Sequence, residues 1–364
     1  MKRRLSNPLV FTILIVYSVI ASILFFQYGL PSLEGKIPQQ MYADSVTYEE
    51  AADALGPDDR LITIGGNYLG PLLVLRFFDF SRIAIHFFNL SIIFSSVLVA
   101  FRHLNVNRGI FLLAVLSSPL LLFSTFGVNK EIFLLPLSVC LAVFLQRRKA
   151  IWLVLAIITA LFVRWQMVLF VLLVFSVTSK MNIFHAKRWT ILLVLTVAIA
   201  IAYPTLVSGP LEAIEQISVE GAQDELGTEA SGVYPRMQEI QRSYGYVLVV
   251  IPKTTQLLIG LLSRFSLAGI EVDFWNNLVI MSQSLHNLLL IVVAFVHRRF
   301  TFSEDYFFLI CTFAIMFAVT PVFAPRYFYP IAVWLALWLA SKDAVSRMRT
   351  SHSIGQSVKN MRPD

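Results

Sequence analysis

Charged residues are scarce in this chain. Only 14% of its 364 residues are Asp, Glu, Lys or Arg, whereas soluble domains carry about 25%. Hydrophobic residues make up 57% of the chain, and its mean hydropathy is +0.73. This composition excludes an ordinary soluble domain and indicates a polytopic membrane protein.

Cysteine is nearly absent, and so are the familiar short catalytic motifs. Cys140 and Cys311 both lie inside apolar runs, where they predict neither a disulfide framework nor a metal site. The sequence has no Walker loop, Rossmann glycine pattern, His-Glu-x-x-His zinc motif or Gly-x-Ser-x-Gly nucleophile elbow. These motifs therefore give no indication of the chemistry of this chain.

The net charge of +7 does not indicate binding to nucleic acid, because the basic residues lie in short clusters between apolar runs. These clusters occur at residues 2–4, 102–108, 147–149, 180–188, 298–299 and in the tail 342–364. They recur after every second apolar run, as the positive-inside rule requires for cytoplasmic loops. The pattern predicts that both termini are cytoplasmic and that the tail is a basic cytoplasmic segment.

The apolar runs predict an all-α bundle of about ten membrane spans within residues 1–341. The predicted spans are 9–30, 83–101, 109–127, 131–146, 150–163, 165–179, 189–207, 275–296, 304–323 and 327–340. The first run follows a basic start but has no small-residue cleavage site, so it is interpreted as a retained span and not a signal peptide.

Two neighbouring predicted spans are weak. Residues 150–163 and 165–179 are each shorter than the roughly 17–25 residues of an untilted span. One long span with Arg164 inside it is the alternative, but it would place the basic loop 180–188 on the outer side. Two short segments that meet at a thinned or water-filled outer cavity fit the charge pattern better.

Two outer regions, 31–82 and 208–274, are too polar to be spans. Each begins with acidic residues and ends in an amphiphilic piece, Leu61 to Phe80 in the first and Val247 to Phe265 in the second. Irregular backbone at membrane depth persists only where it is buried or wet. Both pieces are therefore predicted to be interfacial or re-entrant helices.

Three cations, Lys130, Arg164 and Arg326, interrupt apolar sequence where a charge is expensive. A charged side chain at mid-membrane costs about 2.5–3.5 kcal/mol on insertion scales, so it usually lines a wet cavity or meets a partner. The predicted topology puts all three on the outer face. They suggest a site for an anionic, phosphate-bearing lipid, whereas Lys253 and Arg264 are weaker candidates, interpreted as interfacial charges.

The neighbours of these cations leave alternatives open. Asn129 and Glu131 suit a helix N-terminus as cap and favourable acid, and the same N-terminus with Lys130 would seat a phosphate. Arg164 has the alternative of snorkelling to headgroups. Prolines on both sides of Arg326 and Tyr327 would aim the guanidinium at a phosphate, while interfacial anchoring is the other interpretation.

The first outer region contains a candidate catalytic acid, Asp44. If a helix begins near Ser45, then Tyr48 and Ala52 share one of its faces. Asp44 then suits an N-cap. The functional alternative is a carboxylate that deprotonates an acceptor hydroxyl or holds a divalent metal, Mg²⁺ or Mn²⁺.

Taken together, these motifs resemble those of bacterial GT-C-type integral-membrane glycosyltransferases, and among them polysaccharide or O-antigen polymerases. The matching positions are Asp44, Tyr48 and Ala52 after the first span, Asn129-Lys130-Glu131, Arg164 at a short-helix junction, and Pro325-Arg326-Tyr327. The chain departs from better-known members because Ser45, not a second acid, follows Asp44.

The resemblance implies transfer of sugar units from a polyprenyl-phosphate or -diphosphate donor at the periplasmic face of a bacterial inner membrane. Asp44 would be the base or the metal-site acid. The predicted substrate-binding set is Tyr48, Asn129, Lys130, Glu131, Arg164, Arg264, Arg326 and Tyr327.

Two other functions stay open at the level of the sequence. A transporter or flippase of lipid-linked oligosaccharide usually shows repeats and charges near the membrane midplane, whereas here the candidate charges gather at one face. A non-enzymatic membrane partner of envelope polysaccharide assembly proteins would use the same charges only as anchors.

Overall fold

The computed structural model describes residues 7–28, 30, 43–54, 68–179, 187–207, 234–260, 274–298, 300, 302, 304–319 and 325–341. Its α-helices are α1 (Asn7–Gln27), α2 (Ala43–Asp53), α3 (Leu69–Phe77), α4 (Arg82–His103), α5 (Arg108–Leu116), α6 (Pro119–Phe123), α7 (Leu134–Arg147), α8 (Ala150–Val163), α9 (Trp165–Thr178), α10 (Arg188–Val207), α11 (Tyr234–Ile240), α12 (Tyr246–Ile259), α13 (Phe274–His297), α14 (Asp305–Phe317) and α15 (Tyr329–Ala340). Short 3-10 helices occupy Lys130–Phe133 and Pro325–Phe328, and a π-helical turn occupies Gln241–Gly245. The all-α prediction is confirmed for these residues.

Three described helical segments are long and apolar enough to cross a membrane: Asn7–Gln27, Arg82–His103 and Leu278–His297. Four further apolar segments, Ala150–Val163, Trp165–Thr178, Arg188–Pro204 and Asp305–Phe317, are shorter. These lengths and compositions are consistent with an integral membrane protein. The total of ten spans stays a prediction.

The two helices at the centre of the bundle are α7 and α15. Every residue of α15 is buried, and Trp334 in α15 donates a hydrogen bond to the carbonyl of Ser138 in α7 at 3.3 Å. A helix that is apolar on all sides belongs in the interior. Outer helices instead expose large apolar side chains, such as Ile15 of α1 and Ile251 of α12, which suits contact with lipid.

The predicted span 109–127 is wrong as a single helix, because the chain breaks between α5 and α6. The Ser118 hydroxyl caps α6 by accepting from the amide of Leu121, and Pro119 follows at the first helical position. Proline has no backbone N–H, and the first position of a helix has no intrahelical acceptor for one. A helix can therefore begin at Pro119 without leaving a donor unsatisfied. Hydropathy does not register such a break, since the residues around it are apolar.

Polar side chains of α13 stabilise this break. The Gln283 side-chain oxygen accepts from the Ser118 hydroxyl at 2.7 Å and from the Leu120 amide at 3.1 Å. His286 donates to the carbonyl of Ala114 at 2.9 Å. These bonds satisfy backbone groups that an unbroken helix would pair internally. His286 thus makes a polar packing contact between α13 and the end of α5.

The interpretation of residues 150–179 as two segments is confirmed. Arg164 alone is extended, with φ −168° and ψ 146°, and it ends α8 and begins α9. The two helices pack against each other. At the far end of this hairpin, Arg148 donates to the carbonyl of Thr178 at 3.2 Å. The chain therefore turns back at Arg164.

The amphiphilic piece of the first outer region contains α3, which lies against the end of α8. A Cβ added at Gly70 would lie 2.0 Å from the carbonyl oxygen of Phe162, so only glycine permits this approach. The helix that follows the second acidic region, α12, packs among α10, α13 and α14. Its Lys253 is fully buried and donates to Gln241 at 2.7 Å, so its interpretation as an interfacial charge was wrong.

The predicted cytoplasmic loops meet at one end of the bundle. The amide of Asn107 donates to the carbonyl of Ala340 at 2.6 Å, and Arg188 pairs with Asp305 at 2.6 Å. The turns that carry Lys130, Arg164 and Arg326 lie at the other ends of the same helices. Because successive segments run in opposite directions, the basic loops lie at one end of the bundle and the candidate site lies at the other.

Candidate functional site

A cavity of about 260 Å³ lies at the end of the bundle opposite the basic loops. It is lined by Thr47, Tyr48, Tyr68, Lys130, Arg164, Arg326 and Tyr327. These residues come from α2, from the residue ahead of α3, and from the turns that precede α7, α9 and α15. Five separate parts of the chain therefore build one small polar surface.

Arg164 provides the closest charge–ring contact of this cavity. Its guanidinium carbon lies 3.4 Å from the centre of the Tyr327 ring. The stacking orients a planar group that can grip two phosphate oxygens at once. One terminal nitrogen, Nη2, is buried and has no hydrogen-bond partner among the described residues. An oxygen of a ligand or of a water molecule would satisfy such a buried donor.

Lys130 is held in a short turn beside the same ring. The Asn129 side chain caps this turn by accepting from the amide of Glu131 at 3.0 Å. The Lys130 ammonium lies 5.6 Å from the ring centre of Tyr48 and 5.8 Å from that of Tyr327. Aromatic faces stabilise a cation at this distance.

The irregular backbone ahead of Lys130 is fixed by two polar residues of α4. The Asn89 amide donates to the carbonyl of Gly127 at 2.9 Å. The His86 ring donates to the carbonyl of Thr125 at 2.9 Å, and its other nitrogen contacts the Ser22 hydroxyl at 3.0 Å. His86 therefore links α1 and α4 to this irregular segment. Its contacts hold the segment that presents Lys130.

Arg326 is the third member of the cation group, after Lys130 and Arg164, and it forms an ion pair with Glu131. Its Nε lies 3.6 Å from a carboxylate oxygen of Glu131, which is too long for a hydrogen bond. The Glu131 side chain is 1% exposed, and neither of its oxygens has a hydrogen-bond partner among the described residues. The Arg326 guanidinium carbon lies 5.7 Å from the ring centre of Tyr327.

The charges around Tyr327 change the acidity of its phenol. This residue lies in the 3-10 turn Pro325–Phe328, ahead of α15. Burial raises the pKa of Tyr327, but the positive charges of Arg164, Arg326 and Lys130 lower it, and the net pKa is below its ordinary value. The surroundings of this hydroxyl therefore favour negative charge.

The helix α2 covers one side of the cavity and is fixed at several points. The Ser45 hydroxyl donates to the carbonyl of Val128 at 2.6 Å. The Tyr48 ring meets the Tyr68 ring edge-on, with 5.4 Å between their centres. The backbone of Asp44 lies inside α2 and not at an N-cap, so that prediction was wrong; its side chain lies outside the described residues.

The structure gathers five residues of the predicted set at the cavity: Tyr48, Lys130, Arg164, Arg326 and Tyr327. Asn129 and Glu131 lie beside it, the first as the cap of the turn and the second as the ion-pair partner of Arg326. Arg264 lies outside the described residues.

Two cavity residues, Thr47 and Tyr68, were not predicted from the sequence. The signal that was available for Tyr68 is Gly70 two positions later, because a small residue in an apolar helix marks a close approach to a neighbour. That close approach brings the start of α3 next to Arg164. Thr47 has no comparable signal apart from its position beside Tyr48.

Comparisons of the chain with protein-family models, with curated proteins and with solved structures give no match.

Proposed function

We propose that this chain is an integral-membrane glycosyltransferase or polysaccharide polymerase that binds a polyprenyl-phosphate or -diphosphate sugar donor at this cavity. The observation that carries the proposal is the meeting of Lys130, Arg164 and Arg326 on one polar cavity at one end of an apolar bundle. A phosphate offers oxygen acceptors to all three cations. The lipid tail would lie along the exposed apolar faces of the outer helices.

The arrangement supplies what departure of a phosphate requires. In the proposed reaction the acceptor hydroxyl oxygen bonds to the anomeric carbon of the donor sugar. The bond from that carbon to the phosphate oxygen breaks, and the electron pair stays on the phosphate. The three cations stabilise that developing charge. The hydroxyl proton goes to a carboxylate, for which Asp44 is the proposed base.

The donor set of the cavity does not fit a divalent metal. The described residues lining it offer three cations with tyrosine and threonine hydroxyls, whereas Mg²⁺ and Mn²⁺ take carboxylate ligands. No group of three or more His, Cys, Asp or Glu side chains suited to a metal occurs among the described residues. The side chain of Asp44, the carboxylate that the sequence offers as a metal ligand, lies outside the described residues, so a metal at this site stays a prediction.

The cellular side of the proposal follows from the charge pattern of the loops. We place the cavity on the periplasmic face of a bacterial inner membrane, with both termini in the cytoplasm, because the basic loops mark the opposite end. The lipid-linked donor then reaches the cavity from the outer leaflet. Other proteins of envelope polysaccharide assembly are the proposed partners.

Binding to matched lipids tests the proposal. The full chain in lipid nanodiscs is titrated with polyprenyl phosphate, with polyprenol of the same length and with inorganic phosphate. We expect polyprenyl phosphate to bind at least about tenfold more tightly than either polyprenol or inorganic phosphate.

The Arg326→Ala variant should lose this preference, and Arg102→Ala at the other end of the bundle should keep it. Equal binding of polyprenol and polyprenyl phosphate would overturn the proposal, and equal binding of inorganic phosphate would overturn its lipid part.

A second measurement separates a transferase from a flippase. Vesicles that contain the protein receive a lipid-linked oligosaccharide and an acceptor. A transferase releases polyprenyl phosphate or diphosphate and lengthens the glycan, whereas a flippase moves the intact donor between leaflets.

In cells, Asp44→Asn should shorten the glycan chains on gels while the protein level stays unchanged. Long chains in that variant would remove Asp44 from the proposed reaction.

A further inference from the structure

Glu131 is a charged group whose surroundings do not explain its presence. It is buried, as are Val128 and Ile132 near it in sequence, and both carboxylate oxygens lack hydrogen-bond partners among the described residues. Buried carboxylates normally accept several hydrogen bonds, because loss of water is costly. An apolar residue of similar size would fit such a site without that cost. The charge itself is therefore the feature to explain.

The carboxylate contacts the cation group from outside the cavity. Glu131 does not line the cavity, whereas Arg326 does, and the ion pair between them is 3.6 Å long. The Arg326 guanidinium thus has a fixed anion on one side and the proposed phosphate position on the other. Together with Lys130 and Arg164, these groups give the site a formal charge of three positive and one negative, a net +2.

We propose that Glu131 is a fixed counter-anion that limits how tightly the cavity holds a phosphate. This rests on the proposed function and concerns the same site. Glu131 does not touch the ligand; it is a positioning residue that acts through Arg326. Because it repels the ligand across the guanidinium, it weakens binding of the phosphate before and after the reaction and speeds release of the polyprenyl product. An enzyme that binds donor and product too tightly gains no turnover.

Neutral variants test this role directly. In the full chain in nanodiscs, Glu131→Gln should bind polyprenyl phosphate about tenfold more tightly than the wild type and release it more slowly. Binding of polyprenol, which has no charge, should not change. The matched control is Glu239→Gln, which removes an exposed carboxylate in α11. The control should bind both lipids as the wild type does.

A second neutral variant guards against a folding defect. Glu131→Met keeps the volume and needs no hydrogen bonds, so it should fold and show the same tightening. The increase in affinity should be larger for polyprenyl diphosphate than for the monophosphate, since repulsion grows with ligand charge; a purely structural role would not produce this difference. Glu131→Asp, which keeps the charge, should bind close to wild type.

The possible failures are distinguishable. Equal binding of polyprenyl phosphate and polyprenol by the wild type overturns the proposed function, and this inference with it. A wild type that prefers the phosphate, together with folded neutral variants that bind it no more tightly, overturns this inference alone. Tightening in Glu131→Asp equal to that in Glu131→Gln would also overturn it.

Discussion

Arg164 shows how one residue joins a backbone role to a charge role. Its extended backbone separates α8 from α9, and its guanidinium stacks on Tyr327 at 3.4 Å. Snorkelling to the headgroups was the alternative for this residue. The structure places the guanidinium against the partly buried ring of Tyr327 at the cavity.

Replacement of this side chain by lysine separates charge from shape. Arg164→Lys keeps the positive charge but loses the planar fork and the stacking on Tyr327. We expect polyprenyl phosphate to bind about tenfold more weakly. A change of this size is what the loss of a partly buried cation–π contact and of one hydrogen bond would cause. Titration in nanodiscs measures it. Arg102→Lys, an exposed arginine at the other end, is the control. Unchanged binding in Arg164→Lys would show that charge alone matters.

At the scale of elements, the cavity depends on how short helices meet the bundle. The helix α3 touches the end of α8 through Gly70, and this contact brings Tyr68 to the cavity. The helix α2 is fixed through the pair of Arg82 and Glu49, in which the Arg82 Nε donates to a carboxylate oxygen at 3.0 Å. The amphiphilic piece of the first outer region, through Tyr68, and the helix α2 that precedes it thus form two walls of the site.

The contact at Gly70 gives a prediction for stability. Gly70→Ala would place a methyl group 2.0 Å from the carbonyl oxygen of Phe162, so α3 must move away from α8. Overpacking of this kind costs about 1–3 kcal/mol. We expect a lower Tm in detergent and weaker binding of polyprenyl phosphate, since Tyr68 moves with α3. Leu73→Ala on the exposed side of α3 should change neither strongly. An unaltered Tm in Gly70→Ala would contradict the close packing.

At the scale of the whole molecule, the arrangement has two chemically different ends. One end holds the basic loops and their contacts, such as the pair of Arg188 and Asp305. The other end holds the cavity with its three cations and Glu131. An apolar body that exposes large side chains along its outer helices separates them. This polarity is what an enzyme needs if it takes a lipid-linked substrate from one leaflet only.

Labelling of single cysteines tests this orientation. In a background with Cys140→Ala and Cys311→Ala, we introduce Glu50→Cys in α2 and Lys149→Cys at the opposite end; both positions are exposed. A membrane-impermeant maleimide should label the first variant in intact spheroplasts and the second only after permeabilisation. Labelling of both variants from the same side would rule out the predicted topology.

Hydropathy and charge in the sequence alone determined that this is a helical protein of membrane character, where most helices lie, and which cations are unusual. The hairpin at Arg164 was also predictable, because an arginine between two short apolar runs and the placement of the basic loops both favour a turn. These features depend on local composition and on the cost of charge in lipid.

Only the tertiary structure decided the rest. The break at Ser118-Pro119 depends on Gln283, which is remote in sequence and satisfies the freed backbone groups. The burial of Lys253 depends on the helices around α12. The sequence marks Glu131 as an acid beside a lysine, but its pairing with Arg326 exists only because two distant turns meet. Contacts between remote residues leave no local pattern, so packing alone determines which charges share a cavity.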